Sequence, residues 1–129
     1  MTKSLPPRPT EAELAILRVL WRRGPSTVRA VWEQLAAAQK TGYTTVLKLM
    51  QIMVDKGLLQ RDETNRSHVY HPRRSKQQTQ RQVVGHLLDK VFAGSASQLV
   101  LQALSAKKAT PQELEEIRRL LDNLEGGRK

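Results

Sequence analysis

Residues 42–74 constrain the fold more than any other part of the chain. After Gly42, apolar residues recur at three- and four-residue spacing, which places them on one face of a helix. These apolar residues are Val46, Leu49, Met50 and Met53. Lys56 and Gly57 supply a basic last turn and a glycine stop, so the predicted helix ends there.

A small hairpin is predicted directly after this helix. Its two short strands cover residues 58–61 and 67–70, and the polar segment 62–66 between them is rich in residues that favour turns. A helix with a polar, hydroxyl-rich start, followed by a hairpin with a basic tip, is typical of a winged helix-turn-helix. This part of the sequence therefore predicts a unit that binds DNA.

Two helices are predicted ahead of this unit. A capping box of Thr10 and Glu13 begins the first helix, and Gly24 ends it. Ser26 or Thr27 can cap the second helix, which leads through a short turn into the third. Three short helices before a hairpin complete the winged-helix pattern.

Three further helices and no strand are predicted over residues 75–129. A helical unit of this size buries its own apolar faces poorly, whereas two packed copies bury them well. We therefore expect a helical dimerisation domain, which suits a DNA-binding protein that contacts two half-sites. The expected dimer contacts are Val84, Leu87, Leu88, Val91, Leu99, Val100, Leu104, Leu114, Ile117, Leu121 and Leu124.

The predicted fold class is mainly α, and the chain divides into three parts. Residues 1–9 are expected to be a flexible leader, residues 10–74 the winged helix, and residues 75–129 the dimerisation domain.

The charge of the chain favours a polyanionic partner such as nucleic acid. The 129 residues include 22 Lys and Arg against 12 Asp and Glu, a net charge of +10. Residues 1–75 hold 13 of the basic and 6 of the acidic side chains, so most of the excess lies in the front half. The chain has no cysteine, no signal-peptide core and no apolar run near the ~20 residues that span a bilayer. We therefore expect a cytoplasmic protein.

The third helix is the expected surface for DNA contact. The amides of its first turn point outward, and the helix dipole favours a phosphate there. Threonine, lysine and glutamine side chains can bond to base edges. The expected contacts on this helix are Tyr43, Thr44, Thr45, Lys48 and Gln51. The ordinary alternatives are a threonine that caps the helix and a solvated face, and Leu47 either touches DNA or completes the core.

The hairpin is expected to add phosphate contacts. Hairpin tips of this kind usually carry basic side chains, which add affinity more than sequence information. The expected contacts are Arg61, Asn65, Arg66 and His68, with Arg66 favoured because it lies at the tip. Arg29 and Lys40 flank the second helix and are further candidates for phosphate contact. The ordinary alternative for all of them is a charged surface.

The sequence offers no pattern typical of a catalytic, metal or cofactor site. His68 and His71 are close in sequence but lack further ligands nearby. No acid pair, activated nucleophile or phosphate-binding glycine loop occurs at useful spacing. We therefore expect a non-enzyme without a cofactor, whose partners are double-stranded DNA and a second copy of the chain. The alternative is a winged-helix module that binds protein or double-stranded RNA without operator specificity.

The chain resembles the BlaI/MecI/CopY family, the penicillinase repressors, along nearly its whole length. The first two helices contain TEAELAILRVLWRRGPSTVRAVWEQL, and the third contains YTTVLKLMQIMVDKGLL. The resemblance continues through VYHPRR, LLDKVFAGSASQLVLQAL and TPQELEEIRRLLDNL. It implies an N-terminal winged helix, a C-terminal dimerisation domain, and repression through a dyad-symmetric operator.

The resemblance also implies a way to release the DNA. In the antibiotic-resistance members, a membrane-bound sensor with a zinc-protease domain detects β-lactam, and the repressor is then cleaved inside its dimerisation domain. The matching bond here joins Gln102 and Ala103, without the aromatic residue that follows the cut in that branch. The copper-responsive branch binds metal through cysteines near its C-terminus, and this chain has none.

Overall fold

The computed structural model describes residues 8–126 and confirms a mainly helical fold with a small hairpin after three helices. Most of the predicted leader, and the last three residues, lie outside the described range. The elements are α1 (Glu11–Arg23), α2 (Val28–Ala38), α3 (Tyr43–Lys56), β1 (Leu59–Asp62), β2 (Val69–Pro72), α4 (Lys76–Lys90), α5 (Ala96–Ala106) and α6 (Pro111–Gly126).

The chain forms two compact units, and the division between them falls inside α4, between Val84 and Gly85. The first unit holds α1 to α3, the hairpin and the first half of α4. The second holds the rest of α4 with α5 and α6. The functional boundary expected at residue 75 stays a prediction.

Helix α1 begins at the predicted capping box. The Thr10 amide donates to Glu13 Oε1 at 2.9 Å, and the Glu13 amide donates to Thr10 Oγ1 at 3.2 Å. These two bonds satisfy amides that have no partner inside the helix. Gly24 ends the helix with a φ of 93°, a backbone conformation that glycine adopts without a steric penalty.

The same Glu13 carboxylate also ties α1 to the end of α3. Lys56 Nζ lies 2.8 Å from Glu13 Oε2, and only 2% of Glu13 is exposed. A buried carboxylate is costly unless it is paired and hydrogen-bonded. Here Oε1 of Glu13 accepts the hydrogen bond of the capping amide, and Oε2 accepts one from the ammonium of Lys56. The residue that caps α1 therefore also connects it to a distant part of the chain.

The core of the first unit is formed by apolar side chains from α1, α2, α3 and the hairpin. Val46, Met50 and Met53 of α3 are all fully buried, as their spacing predicts. They pack in one cluster with residues of the other elements: Ile16, Leu17, Val19, Leu20, Val28, Val31, Leu35, Leu58, Leu59 and Tyr70. The cluster fixes which face of α3 points outward.

The hairpin is antiparallel and pairs Arg61 with Tyr70. Its strands cover residues 59–62 and 69–72, so the predicted limits of 58–61 and 67–70 are wrong by one and two residues. A contact from outside the hairpin also holds the second strand. Ser26 and Tyr70 exchange backbone hydrogen bonds of 3.0 and 2.8 Å, which draws the second strand toward the turn before α2.

The second unit consists of helices that are capped locally but not covered. Ser95 Oγ accepts a bond from the Gln98 amide at 3.2 Å, and Thr110 with Glu113 forms a second capping box at 2.9 and 3.0 Å. Neither α5 nor α6, both of which are described in full, contains a buried residue. Within the described range, no helix has the length and apolar character needed to cross a membrane.

The Glu13–Lys56 pair predicts an asymmetry between two substitutions. Glu13→Gln keeps an acceptor for the capping amide and releases a lysine that is 30% exposed, so we expect a loss of about 1 kcal/mol in the free energy of unfolding. Lys56→Met leaves a buried carboxylate without its cation and should cost about 3 kcal/mol. Urea denaturation of both variants checks this order, and an equal or reversed order would contradict it.

Candidate nucleic-acid interface

The polar residues of α3 lie on the side opposite the core. Thr44, Thr45, Lys48 and Gln51 are all exposed, as expected for residues on this side. Because Val46, Met50 and Met53 are fully buried, the helix cannot rotate without exposing them. We call the exposed side, which Thr44, Thr45, Lys48, Gln51, Ile52 and Asp55 share, the outer face of α3.

The first turn of α3 is not capped by a side chain. Gly42 occupies the N-cap position with ordinary extended dihedrals, a φ of −76° and a ψ of 151°. No side-chain hydrogen bond is made at this N-cap within the described structure. The alternative that Thr44 or Thr45 merely caps the helix therefore has no support, and both hydroxyls stay exposed on the outer face.

Trp32 of α2 holds the turn that leads into α3. Its Nε1 donates to the carbonyl oxygen of Thr41 at 2.7 Å. Its ring meets the ring of Tyr43 edge-on, with 6.0 Å between centroids. The guanidinium of Arg29 lies 5.9 Å from the centroid of the same indole, a cation–π distance, and Arg29 also pairs with Glu33 at 3.8 Å. One side chain thus positions two of the predicted contact residues.

A groove of about 370 Å³ joins the start of α2, the start of α3 and the hairpin. We call it the wing groove. Its walls are Thr27, Val28, Arg29, Tyr43, Leu47, Arg66, Ser67, His68 and Tyr70. The structure therefore brings together four predicted contact residues that are far apart in sequence: Arg29, Tyr43, Arg66 and His68.

Leu47 lies between the core and the wing groove. It is half-buried and packs against the core cluster, and it also forms part of the wing groove. Lys40 is exposed in the connection between α2 and α3 and lies apart from the residues that form this groove.

The basic residues of the hairpin differ in how far they are neutralised. Arg61 Nε lies 2.7 Å from Glu63 Oε2. Hydrogen bonds with Tyr70 and then Glu63 raise the pKa of Arg61, so it stays charged but held within the hairpin. Arg66 and Asn65 are exposed at the tip, as is His68. Arg66 is therefore better placed than Arg61 to meet an external phosphate.

The hairpin turn is shaped by an acidic side chain. Asp62 Oδ1 accepts hydrogen bonds from the hydroxyl and the amide of Thr64, and these bonds lower the pKa of Asp62. The turn thus keeps a negative charge next to the basic tip, which limits how much the wing as a whole attracts phosphate.

The described residues contain no group of three or more His, Cys, Asp and Glu that could hold a metal ion. His71 instead forms a hydrogen bond of 2.9 Å with Gln60 across the hairpin.

The residues predicted for dimerisation are mostly accessible. In the second unit, Val91, Val100, Leu104, Leu121 and Leu124 are exposed, as is Leu87, while Leu88, Leu99, Leu114 and Ile117 are half-buried. Val84, at the end of the first unit, is 46% exposed. Sequence reasoning did not include Leu101 and Leu120, which are 59% and 56% exposed. Between α5 and α6 lies a groove of about 750 Å³ that Leu104, Ile117 and Leu120 help to form.

Three residues in the first unit were missed as functional candidates. Trp32 was not considered as a candidate, although a buried indole N–H usually has a partner. Ser26 was treated as a cap and in fact pairs with the hairpin. Ile52 was not considered because it interrupts a polar face, yet its spacing from Val46 and Met50 already excludes it from the core face.

Comparisons with known proteins agree on one family. A family model described as penicillinase repressor matches residues 9–123. The transcriptional regulator BlaI of Mycobacterium tuberculosis is 30% identical over 120 residues, covering 91% of this chain and 85% of that protein. The penicillinase repressor of Bacillus licheniformis is 20% identical over 95% of this chain and 96% of its own length. The methicillin resistance regulatory protein MecI of Staphylococcus aureus is 20% identical over 88% and 92%.

The two tryptophans of this unit provide a matched test of how α3 is held. Trp32→Phe removes the bond to Thr41, so we expect a loss of about 1 kcal/mol in stability and faster amide exchange at Val46 in the first turn of α3. Trp21 Nε1 is buried without a hydrogen-bond partner among the described residues, so Trp21→Phe should cost little. Denaturation and hydrogen exchange measure both effects, and equal exchange at Val46 in the two variants would contradict the role of Trp32.

Proposed function

Because the chain belongs to the penicillinase repressor family, we propose that it is a DNA-binding transcriptional repressor that acts as a dimer on a two-fold symmetric operator. The observation that carries the proposal is the exposed outer face of α3, which stands beside the basic wing groove. An α-helix fits the major groove of B-DNA, and a hairpin beside it reaches the backbone.

The outer face of α3 supplies side chains suited to reading bases. Lys48 suits guanine or phosphate, and Gln51 suits adenine. Thr44 and Thr45 offer hydroxyls near the positive end of the helix dipole, where the open amides of the first turn also favour a phosphate. Sequence recognition is therefore assigned to this face, since all four side chains are exposed and lie on one helix.

The wing groove supplies backbone contacts. Arg66 and His68 come from the hairpin and Arg29 from α2, so a DNA strand that passes the groove meets positive charge from two elements. Such contacts fix position and add affinity at low salt without reading sequence. Arg61 contributes less in this proposal, because Glu63 already neutralises part of its charge.

Dimerisation through the second unit is supported by what that unit leaves uncovered. α5 and α6, described throughout, contain no buried residue, and several of their leucines are more than half exposed. Monomeric soluble proteins rarely expose apolar surface of this kind. A second copy of the chain covers it in our proposal, and it also supplies the second DNA-reading unit that a symmetric operator requires.

The proposed release mechanism is cleavage of the dimerisation domain by a membrane-bound sensor protease, in response to a β-lactam or cell-wall signal. The candidate bond between Gln102 and Ala103 lies in the middle of α5, and both residues are exposed. Proteases bind their substrates as extended chains, so α5 must unwind locally before the cut. Severing α5 separates the end of this helix and all of α6 from the rest of the chain, without touching a proposed DNA contact.

Selection of bound sequences from random duplex DNA tests the function. We expect a two-fold symmetric site with a steep salt dependence. A variant with Thr45→Ala and Lys48→Ala should bind the selected site roughly 10- to 100-fold more weakly, because it loses contacts to base edges. Lys90→Ala removes the same charge in the last turn of α4 and serves as the control. Sequence-indifferent binding by the wild type would favour the alternative of a protein- or RNA-binding module, and full affinity in the double variant would contradict the assignment of α3.

A shortened chain tests how dimerisation supports binding. A chain that ends at Gln102 loses α6 and the end of α5, so it should sediment as a monomer and bind the operator roughly 10²- to 10⁴-fold more weakly, since the second half-site contact is no longer intramolecular. A chain that ends at Gly126 keeps α6 and should behave as the full protein. Dimerisation and full operator affinity in the shorter chain would rule out the mechanism.

A further inference from the structure

Ile52 is an apolar side chain on a polar surface. It is 39% exposed, and it lies in the third turn of α3 on the outer face. The other exposed large hydrophobic side chain that the structure describes on this helix is Tyr43, whose ring is held by Trp32. Ile52 has no comparable aromatic contact in the described structure, and the core cluster and its packed neighbours do not include it.

The position of Ile52 follows from helix geometry. Thr45 precedes it by seven residues, about two turns, and Lys48 precedes it by four, so the three side chains form one stripe. Ile52 is roughly 6 Å further along the helix axis than Lys48, at about 1.5 Å per residue. Base pairs are about 3.4 Å apart, so Ile52 meets a base pair one or two steps from that of Lys48.

We infer that Ile52 is a specificity-determining residue that packs on the C5-methyl group of a thymine in the major groove. The inference rests on the proposed function, because it requires α3 to lie in that groove. The thymine methyl is the one apolar group that base edges present there. Isoleucine suits such a contact because its branched side chain is already restricted to few rotamers in a helix, so little freedom is lost on binding.

The neighbours of Ile52 on the outer face support this position as the last base contact. Two turns beyond Lys48 and one turn beyond Ile52, Asp55 is exposed and acidic. Its carboxylate repels phosphates and fits only beside a base that donates a hydrogen bond. Ile52 therefore lies between hydroxyl-bearing and basic residues on one side and a carboxylate on the other. In this position its side chain favours an apolar part of the floor of the major groove.

Replacing thymidine by deoxyuridine tests the contact, because this change removes only the methyl group. The selected duplex is made with each thymidine replaced in turn within one half-site, and the affinity of the full-length protein is measured. We expect one position at which the wild type binds about three- to tenfold more weakly, the size of one buried methyl group. Ile52→Ala should bind the unmodified duplex about as weakly and should show no further loss at that position.

Gln51→Ala provides the control on the same face. This variant removes a neighbouring side chain and leaves Ile52 in place. Removal of the critical thymine methyl group must therefore still weaken DNA binding by the variant by the same factor as in the wild type. Ile52→Val keeps a branched apolar side chain and should retain most of the methyl sensitivity. Because Ile52 lies outside the core cluster, circular dichroism should give unchanged melting for these variants.

The outcomes separate the two proposals. If a two-fold symmetric site is selected but no methyl effect disappears in Ile52→Ala, the inference about Ile52 is overturned while the repressor function stands. If no duplex is selected at all, the proposed function fails and the inference fails with it. The loss of affinity on removing the thymine methyl group could also disappear equally in Gln51→Ala and in Ile52→Ala. In that case the thymine contacts the helix as a whole, and the specific role of Ile52 is overturned.

Discussion

Burial of three side chains on α3 decides most of what this protein presents to a partner. Val46, Met50 and Met53 are fully buried, and each contributes roughly 1.5–3 kcal/mol through the apolar surface that it removes from water. Rotating α3 by a quarter turn exposes part of this surface, so the rotation is disfavoured by several times the thermal energy. The outer face is therefore fixed by the core, although its own residues lie outside the core cluster.

Three further contacts position the helix along its axis and place the hairpin beside it. The indole of Trp32 bonds to Thr41 at the start of α3, and the Glu13–Lys56 pair holds its end. The backbone bonds between Ser26 and Tyr70 draw the hairpin toward the turn before α2. Since the walls of the wing groove come from α2, α3 and the hairpin, these same contacts determine its shape. A rigid arrangement of this kind lowers the entropy cost of binding.

Local patterns in the sequence predicted the helices well. They could not predict contacts between residues that are far apart in the sequence. The capping boxes at Thr10 and Thr110 are short-range signals, and the structure contains both. The strand limits were wrong by one and two residues, and the pairing of Ser26 with Tyr70 joins residues that no local pattern connects. The ion pair of Arg61 with Glu63 and the exposure of Ile52 on the outer face were missed for a related reason. A charge count ignores which cations are already paired, and a search for polar contacts does not register an isoleucine.

The second unit differs from the first in how its helices are stabilised. Its helices have good caps, but α5 and α6 contain no fully buried residue in the described structure, so packing within the unit stabilises them little. If a second copy covers their leucines, as we propose, then folding of these helices and pairing of the two chains are largely one equilibrium. That coupling makes the unit a sensitive point of control, because a single break in α5 removes the helix and the dimer together. DNA affinity then falls although every residue of the outer face and the wing groove is intact.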